Sequence, residues 1–205
     1  MPRDLIVVGA GGHAKVVVAT ARAAGFRVMA IADDAQPRWG ESLLGVPIAG
    51  PTEPVLQDGR ALVVLAIGDN AVRRRLAATA RCTFVSIVHP SAIVDPTVRL
   101  GAGSVVFAGA VIQPDAAIGG HAIVNTAASI DHDCVLGEAV HVAPGTRLAG
   151  NVTLGDEVFL GIGAVVIPGI TIGARTTVGA GAAVVHDLPA GVLAAGVPAR
   201  VLRGQ

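Results

Sequence analysis

Three residues have the types and the spacing for acid–base chemistry at a carbonyl group. His132 is followed directly by Asp133, and Gly150 comes eighteen residues after the histidine. An imidazole can take a proton from an attacking group, and a neighbouring carboxylate raises its basicity and fixes its tautomer. Glycine bares its backbone N–H, which can stabilise negative charge on a carbonyl oxygen. The three residues act together only if the fold brings positions eighteen apart side by side.

A six-residue repeat predicts that stacking. In hexads counted from Ala92 to Asp187, the third residue is Ile, Leu or Val every time. This period fits short strands of about three residues separated by bends, and it fits neither an α-helix nor a long strand. Three hexads then form one coil, with the first and third residues of each hexad pointing inward. Glycines recur once per coil after the buried aliphatic residue, where we expect a positive φ: Gly101, Gly119, Gly137, Gly155 and Gly173.

Three faces per coil make the predicted solenoid a prism, in which residues eighteen apart form columns. The histidines fall in different columns of this prism. His132 lies in a corner column with Gly150 next to it, and His186 ends the same column with no role assigned. His141 lies in an outward column that is otherwise mostly apolar, so we expect this column to meet a neighbouring subunit and His141 to line a groove there. The other members of that column are Val105, Ile123, Phe159 and Thr177.

The N-terminal third alternates between strands and helices, which predicts a small parallel sheet. Gly11, Gly12 and His13 follow the first strand and open a helix, where backbone N–H groups can approach a phosphate. Asp33 and Asp34 end the second strand, in position for ribose hydroxyls or a base edge. A single nucleotide suits this size better than a dinucleotide such as NAD, and a tight packing turn is the remaining alternative.

Substrate contacts are also predicted after the third strand of that sheet, at Gly68 and Asn70. Arg175 and Arg200 lie near the end of the prism, where their charges suit the phosphate groups of a ligand. The two cysteines, Cys82 and Cys134, are too few for a disulfide framework, so we expect reduced thiols.

Composition excludes several classes of protein. Fifteen basic and fifteen acidic residues balance to zero net charge, so nothing favours nucleic acid or an anionic membrane surface. Hydrophobic residues make up 52% and aromatic residues 2%, which predicts an aliphatic core. We find neither a membrane span nor a secretory signal in the sequence, so we expect a cytoplasmic protein without membrane insertion.

Three segments carry a resemblance to a known family. NTAASIDHDCVLGEAVHVAPGTRLAG at 125–150, GAGGHAKVV near the start and GVPAR at 196–200 resemble the hexapeptide-repeat nucleotide-sugar N-acetyltransferases of the bacillosamine and perosamine pathways and their sialic-acid O-acetyltransferase relatives. The resemblance implies a Rossmann-like α/β half domain over 1–85 that binds a nucleotide sugar. It also implies a left-handed parallel β-helix acetyltransferase domain with a C-terminal tail over 86–205, assembled as a homotrimer with the active site between subunits.

The resemblance also implies roles for individual residues. The histidine that matches His132 is the general base in that family, supported by an acidic residue that matches Asp133. Asn125 and His141 match residues that line the acceptor and acetyl groove, and Gly150 matches the backbone amide near the thioester carbonyl. The glycine-rich turn matches the nucleotide-sugar site, together with His13, Asp33 and Asp34.

The implied reaction is direct transfer from acetyl-CoA to the amino group of a UDP- or GDP-linked 4-amino-4,6-dideoxyhexose, with no metal. An O-acetyltransferase acting on sialic acid or another sugar shares both domains and the His132 site. A non-catalytic trimer that binds a nucleotide sugar needs the N-terminal glycines but not His132, Asp133 and Gly150 together.

Two other mechanisms fit the sequence poorly. Zinc enzymes on this β-helix use histidines that include a pair five residues apart, whereas His132 lies eleven residues after His121 and nine before His141. A covalent acyl-enzyme would need an accessible thiol, and Cys134 is the first residue of its hexad, so we expect it to point inward.

Overall fold

The N-terminal part of the chain is a four-stranded parallel sheet flanked by helices. In a computed structural model that describes residues 2–204, the sheet order is β2-β1-β5-β6, and β3 and β4 form a separate antiparallel pair. A short 3-10 helix spans Gln36–Arg38. The elements of this part are β1 (Asp4–Val8), α1 (Gly12–Ala23), β2 (Arg27–Ala32), β3 (Ser42–Leu43), β4 (Val46–Pro47), α2 (Thr52–Gln57), β5 (Leu62–Leu65), α3 (Asn70–Thr79) and β6 (Thr83–Phe84).

The rest of the chain forms a solenoid with three parallel sheets, which we call its first, second and third faces. The first face contains β7 (Ile87–Val88), β10 (Val105–Val106), β13 (Ile123–Val124), β16 (His141–Val142), β19 (Phe159–Leu160), β22 (Thr177–Val178), β24 (Val192–Ala195) and an antiparallel edge strand β25 (Arg200–Gly204). The second face contains β8 (Ile93–Val94), β11 (Val111–Ile112), β14 (Ser129–Ile130), β17 (Arg147–Leu148), β20 (Val165–Val166) and β23 (Ala183–Val184). The third face contains β9 (Arg99–Leu100), β12 (Ala117–Ile118), β15 (Val135–Leu136), β18 (Thr153–Leu154) and β21 (Thr171–Ile172).

This architecture confirms the predicted β-helix and its coil length. Each strand from β7 to β20 pairs with the strand eighteen residues later, as Ile123 pairs with His141 and His141 with Phe159, whereas Thr177 of β22 pairs with Leu193 of β24 where the repeat ends. The core consists of first and third residues of the hexads, such as Ala128 and Ile130, both 0% exposed. Cys134 is buried in the same core, as the sequence predicts.

The glycines that recur once per coil do not have the predicted positive φ. Left-handed backbone lies instead at the sixth residue of each hexad from Gly103 to Gly181, and Asp133 has φ 60 there. The recurrent glycines are needed because successive coils approach too closely for a side chain. A Cβ on Gly119 would lie 2.6 Å from the carbonyl carbon of Gly137 in the next coil.

The apolar column on the first face is covered by the same chain rather than by a neighbouring subunit, which corrects the prediction. Val105 and Ile123 join one hydrophobic cluster with Val17 and Val18 of α1. Phe107, which is fully buried, belongs to the same cluster. The N-terminal part therefore packs directly on the first face of the solenoid. None of the helices in the described part of the chain is long and apolar enough to cross a bilayer.

Candidate active site

His132 and Asp133 form a dyad at the corner between the second and third faces. The His132 Nδ1 lies 2.7 Å from Asp133 Oδ2, and both side chains are about half exposed. The left-handed backbone of Asp133 reverses the chain at the end of the hexad. The hydrogen bond to Asp133 raises the pKa of His132. Because an ionised carboxylate only accepts hydrogen bonds, Nδ1 carries the proton in the neutral ring and Nε2 is free to act as a base.

Gly150 lies directly beside this imidazole, one coil further along. A Cβ on Gly150 would lie 2.6 Å from both Nε2 and Cε1 of His132, so glycine is required for the ring to keep this position. The Gly150 N–H donates to no acceptor among residues 2–204, whereas its carbonyl accepts from Gly169 N at 3.0 Å. The His132 imidazole and an unpaired backbone donor therefore lie in neighbouring coils, as the spacing of eighteen predicts.

A cavity of about 510 Å³ lies at the carboxyl edge of the N-terminal sheet. Its lining includes the turn of Gly11, Gly12 and His13, at the N-terminus of α1, which has no side-chain cap and no acidic residue in its first turn. Gly9 has φ +102, and a Cβ there would lie 2.9 Å from Ala66 O, so the turn requires glycine. Free backbone donors at a helix N-terminus suit the phosphates of a nucleotide.

Asp33 and Asp34 also line this cavity, but their carboxylates are already engaged. Asp33 accepts from Ala10 N at 2.6 Å and from Ala35 N at 2.8 Å. Asp34 accepts from the backbone N–H of Thr52 at 2.8 Å and from its hydroxyl at 3.0 Å. The acidic pair therefore shapes the loops around the cavity, and its predicted contact with a ribose or a base stays a prediction.

His13 and His141 meet between α1 and the first face. Their ring centroids lie 6.2 Å apart, and Phe159 packs edge-on to His141 at 5.2 Å. His141 is only 9% exposed, and its Nε2 lies 3.1 Å from Asn125 Nδ2. Burial, followed by the charge of Arg73, lowers the pKa of both histidines to about 4. Both rings are therefore neutral near pH 7.

A second cavity of about 400 Å³ lies between the start of α3 and the first face. Gly68 lines both cavities, and Asn70, Phe159 and Arg175 line only the second. The amide of Asn70 donates to the carbonyls of Glu157 at 3.0 Å and Val158 at 3.1 Å. The Asn70 side chain therefore joins α3 to the solenoid. Its predicted contact with substrate stays a prediction.

The predicted site residues form two groups in one chain. His13 lines the first cavity and lies near His141 and Asn125 of the first face, whereas the His132 dyad lies at the opposite corner of the prism, between the other two faces. Arg200 is exposed on the edge strand β25, away from the His132 corner. No group of three or more His, Cys, Asp or Glu side chains that could hold a metal ion occurs between residues 2 and 204.

Comparisons with known proteins find matches for both the N-terminal part and the solenoid. The family model described as the PglD N-terminal domain matches residues 4–80, and the bacterial transferase hexapeptide model matches residues 151–186. A solved structure of a histidine mutant of perosamine N-acetyltransferase from Caulobacter crescentus, in complex with CoA and GDP-perosamine, is 48% identical with a TM-score of 0.92. The alignment covers 98% of this chain and 97% of that one. The chain belongs to the hexapeptide-repeat nucleotide-sugar N-acetyltransferase family.

Two further relatives of this N-acetyltransferase family member support the assignment. The acetyltransferase domain of PglB from Neisseria gonorrhoeae, solved with acetyl coenzyme A, is 39% identical over 98% of this chain and 100% of that one, with a TM-score of 0.92. UDP-N-acetylbacillosamine N-acetyltransferase from Bacillus subtilis is 39% identical over 107 residues. That match covers 49% of this chain and 50% of the curated relative.

Arg73 and Thr52 contribute to the site of this family member without having been predicted from the sequence. Thr52 holds Asp34 in place, and Arg73 bonds the turn before α3 to the solenoid. The sequence shows Arg73 only as one member of an arginine run in a helix. No local pattern separates a buried arginine from its exposed neighbours, because burial here depends on the packing of two domains.

Proposed function

We propose that the protein transfers the acetyl group of acetyl-CoA to the amino group of a nucleotide-linked 4-amino-4,6-dideoxyhexose. The observation that carries this proposal is the His132–Asp133 dyad, which lies against the unpaired N–H of Gly150. Support comes from the perosamine and bacillosamine N-acetyltransferases that the chain is similar to. Because the relative solved with GDP-perosamine is 48% identical, GDP-perosamine is the first acceptor to test.

In the proposed reaction, His132 acts through Nε2. The sugar ammonium group first loses one proton to solvent, and the resulting neutral amine attacks the thioester carbonyl of acetyl-CoA. The C–N bond forms, the negative charge on the carbonyl oxygen is stabilised by the Gly150 N–H, and the C–S bond then breaks as the CoA sulfur leaves. His132 removes the proton from nitrogen, Asp133 stabilises the resulting imidazolium, and the proton passes to the departing thiolate or to solvent. No covalent acyl-enzyme is required.

We also propose that the active site is completed by a second copy of the chain in a homotrimer. In one chain, the His132 corner and the nucleotide cavity lie on different sides of the prism. One column of the second face has exposed apolar side chains at Ile93, 67% exposed, and Val165, 41% exposed, with Ser129 and Arg147 between them. Packing this face against another copy would cover the exposed apolar side chains and bring the neighbouring His132 corner toward a partner's first face.

Acetyl-CoA and the nucleotide sugar have separate places in this proposal. The diphosphate of the sugar nucleotide lies on the α1 N-terminus in the first cavity, and the sugar extends past Gly68 toward the subunit boundary. The thioester lies beside Gly150, with Arg175 and Arg200 toward the nucleotide end of CoA. Both substrates are phosphorylated metabolites, and we propose that the enzyme works in the cytoplasm.

The experiment that tests the function measures release of the CoA thiol from acetyl-CoA with a colorimetric thiol reagent. The acceptor panel contains GDP-, UDP- and dTDP-linked 4-amino sugars and free sialic acid. Turnover with one amino sugar supports the proposal and identifies the nucleotide. Turnover with sialic acid alone would show an O-acetyltransferase instead. Binding of nucleotide sugar without any turnover, and without acetyl-CoA binding by calorimetry, would indicate a non-catalytic binding protein.

A further inference from the structure

Arg73 is a charged side chain buried to 1% exposure, and it contacts only neutral oxygens. Its Nε donates to His121 O at 2.7 Å, and its Nη2 donates to Ala139 O at 2.7 Å and to Asn70 Oδ1 at 2.8 Å. Nη1 donates to the carbonyl of Ile67 at 2.9 Å. Burying a guanidinium without a carboxylate partner costs free energy, which an apolar side chain in the same place would avoid.

The acceptors on the solenoid form a regular column. His121, Ala139 and Glu157 are sixth residues of hexads in three successive coils, and all have left-handed backbone. In the described coils, the carbonyls of these sixth residues accept no hydrogen bond from a neighbouring coil. Arg73 takes the first two of these carbonyls, and Asn70 takes the third at 3.0 Å. The two side chains therefore hold α3 in one register along the solenoid.

The other end of the same guanidinium holds the turn that separates the two cavities. Nη1 donates to Ile67 O and, at 3.3 Å, to Gly68 O. Gly68 lines both cavities, so any shift of this turn changes the passage between them. We propose that Arg73 is a positioning residue for acetyl transfer, which clamps the Gly68–Asn70 turn to successive coils so that the bound nucleotide sugar keeps one alignment with the solenoid. This inference rests on the proposed function.

The charge of Arg73 also acts on the histidine pair. His13 from α1 and His141 from β16 face each other, with Asn125 of the first face beside them. Arg73 from α3 is the cation that lowers the pKa of both, second only to burial. The charges that act on Arg73 itself are Asp69 and Glu157, and its own pKa is lowered to about 10 by burial. Arg73 therefore has two effects: its hydrogen bonds hold the Gly68–Asn70 turn, and its charge lowers the pKa of His13 and His141. Variants that keep or remove the charge can separate these effects.

The test compares Arg73→Lys, Arg73→Gln and the control Arg74→Gln in the full-length protein. Lysine keeps the charge but cannot reach all the acceptors of the planar fork. We expect Arg73→Lys to lower kcat by at least about tenfold while KM for acetyl-CoA stays within about twofold. Arg73→Gln should in addition raise the titration midpoints of His13 and His141, followed by NMR of imidazole-labelled protein. Arg74 is partly exposed, forms ion pairs with Asp156 and Glu157 and contacts neither the Gly68–Asn70 turn nor the histidines, so Arg74→Gln should leave kcat within about twofold.

Three outcomes decide the inference. A folded Arg73→Lys with wild-type kcat and only a lower melting temperature would show a purely structural role and overturn it. Should Arg73→Gln fail to fold, Asn70→Ala opens the same clamp while leaving Arg73 in place, and unchanged kcat in that variant also overturns the inference. If the wild type transfers acetyl to no acceptor, the proposed function fails, and amide hydrogen exchange then decides the clamp: Arg73→Lys should speed exchange in the Gly68–Asn70 turn, and unchanged exchange there contradicts the inference.

Discussion

The imidazole of His132 occupies the space that a side chain at position 150 would fill. A Cβ on Gly150 would lie 2.6 Å from His132 Nε2, although the two residues are eighteen positions apart in the sequence. The ring is fixed on its other side by the 2.7 Å contact between Nδ1 and Asp133. The nitrogen proposed as the base is therefore held close to the backbone donor proposed to stabilise the oxyanion.

Replacing His132 by alanine should lower kcat by about 100-fold to 10,000-fold, because that is the range that a positioned general base contributes. His186→Ala is the matched control, since His186 ends the same corner column and Asp187 is engaged with Thr171 N at 2.7 Å instead. Thiol release gives kcat, and calorimetry checks that both substrates still bind. A decrease in kcat of only a few-fold for His132→Ala would mean that solvent, and not His132, accepts the proton.

Asp133→Asn should shift the pH dependence of transfer. The neutral ring is the active form, so kcat falls as pH drops through the pKa of His132. Asp133 raises that pKa by accepting a hydrogen bond, and its removal lowers the pKa. The acid limb of the kcat profile should therefore move to lower pH in Asp133→Asn, with a lower plateau because the tautomer is no longer held. An acid limb at the wild-type position would mean that another group controls it.

Gly150→Ala should damage activity more than stability. His132 is 54% exposed, so its ring can swing outward to admit the methyl group, and the fold then tolerates the change. The displaced ring no longer lies beside the Gly150 N–H, and we expect kcat to fall by about 10-fold to 1000-fold. Gly59→Ala is the control, because a Cβ there would lie 3.8 Å from Arg81 O, an ordinary van der Waals contact, and Gly59 lines neither cavity. Equal kcat in the two variants would contradict the proposed geometry.

Mixed assemblies should recover activity from two inactive variants. His132→Ala lacks the base, and Gly12→Asp places a negative charge at the α1 N-terminus, where an added Cβ meets nothing within 4 Å. If each site takes His132 from one chain and the glycine turn from another, co-expression produces some intact sites. The measurement is thiol release by the co-purified mixture against each variant alone. Sites built within one chain would give no recovery.

Cys134→Ala should leave kcat within about threefold of the wild type. The thiol points into the solenoid core and lies 3.2 Å from Ala149 O, and burial raises its pKa, so the thiolate is disfavoured. The small cavity left behind should lower the melting temperature slightly. Loss of turnover with an intact fold would instead support a covalent intermediate on sulfur.

The six-residue repeat allowed much of the solenoid to be predicted from the sequence. Coil length, the inward aliphatic residues and the stacking of His132 on Gly150 all follow from a period of eighteen, because each coil of a solenoid contacts mainly its nearest neighbours. The glycine turn at the start of α1 is equally local, since it depends on a strand, a bend and a helix adjacent in the chain. These features require no knowledge of how the two parts of the chain pack together.

The contacts between the N-terminal sheet domain and the solenoid are known only from the tertiary structure. Only packing shows that α1 covers the apolar column of the first face, that Asp33 and Asp34 hold loops, and that Arg73 is buried with neutral oxygens around it. It also shows that the left-handed backbone lies at the sixth residue of the hexads and not at the recurrent glycines, where the sequence predicts it. A contact between non-repeating segments leaves no period in the sequence, because burial and pairing there depend on distant residues that meet only in the folded chain.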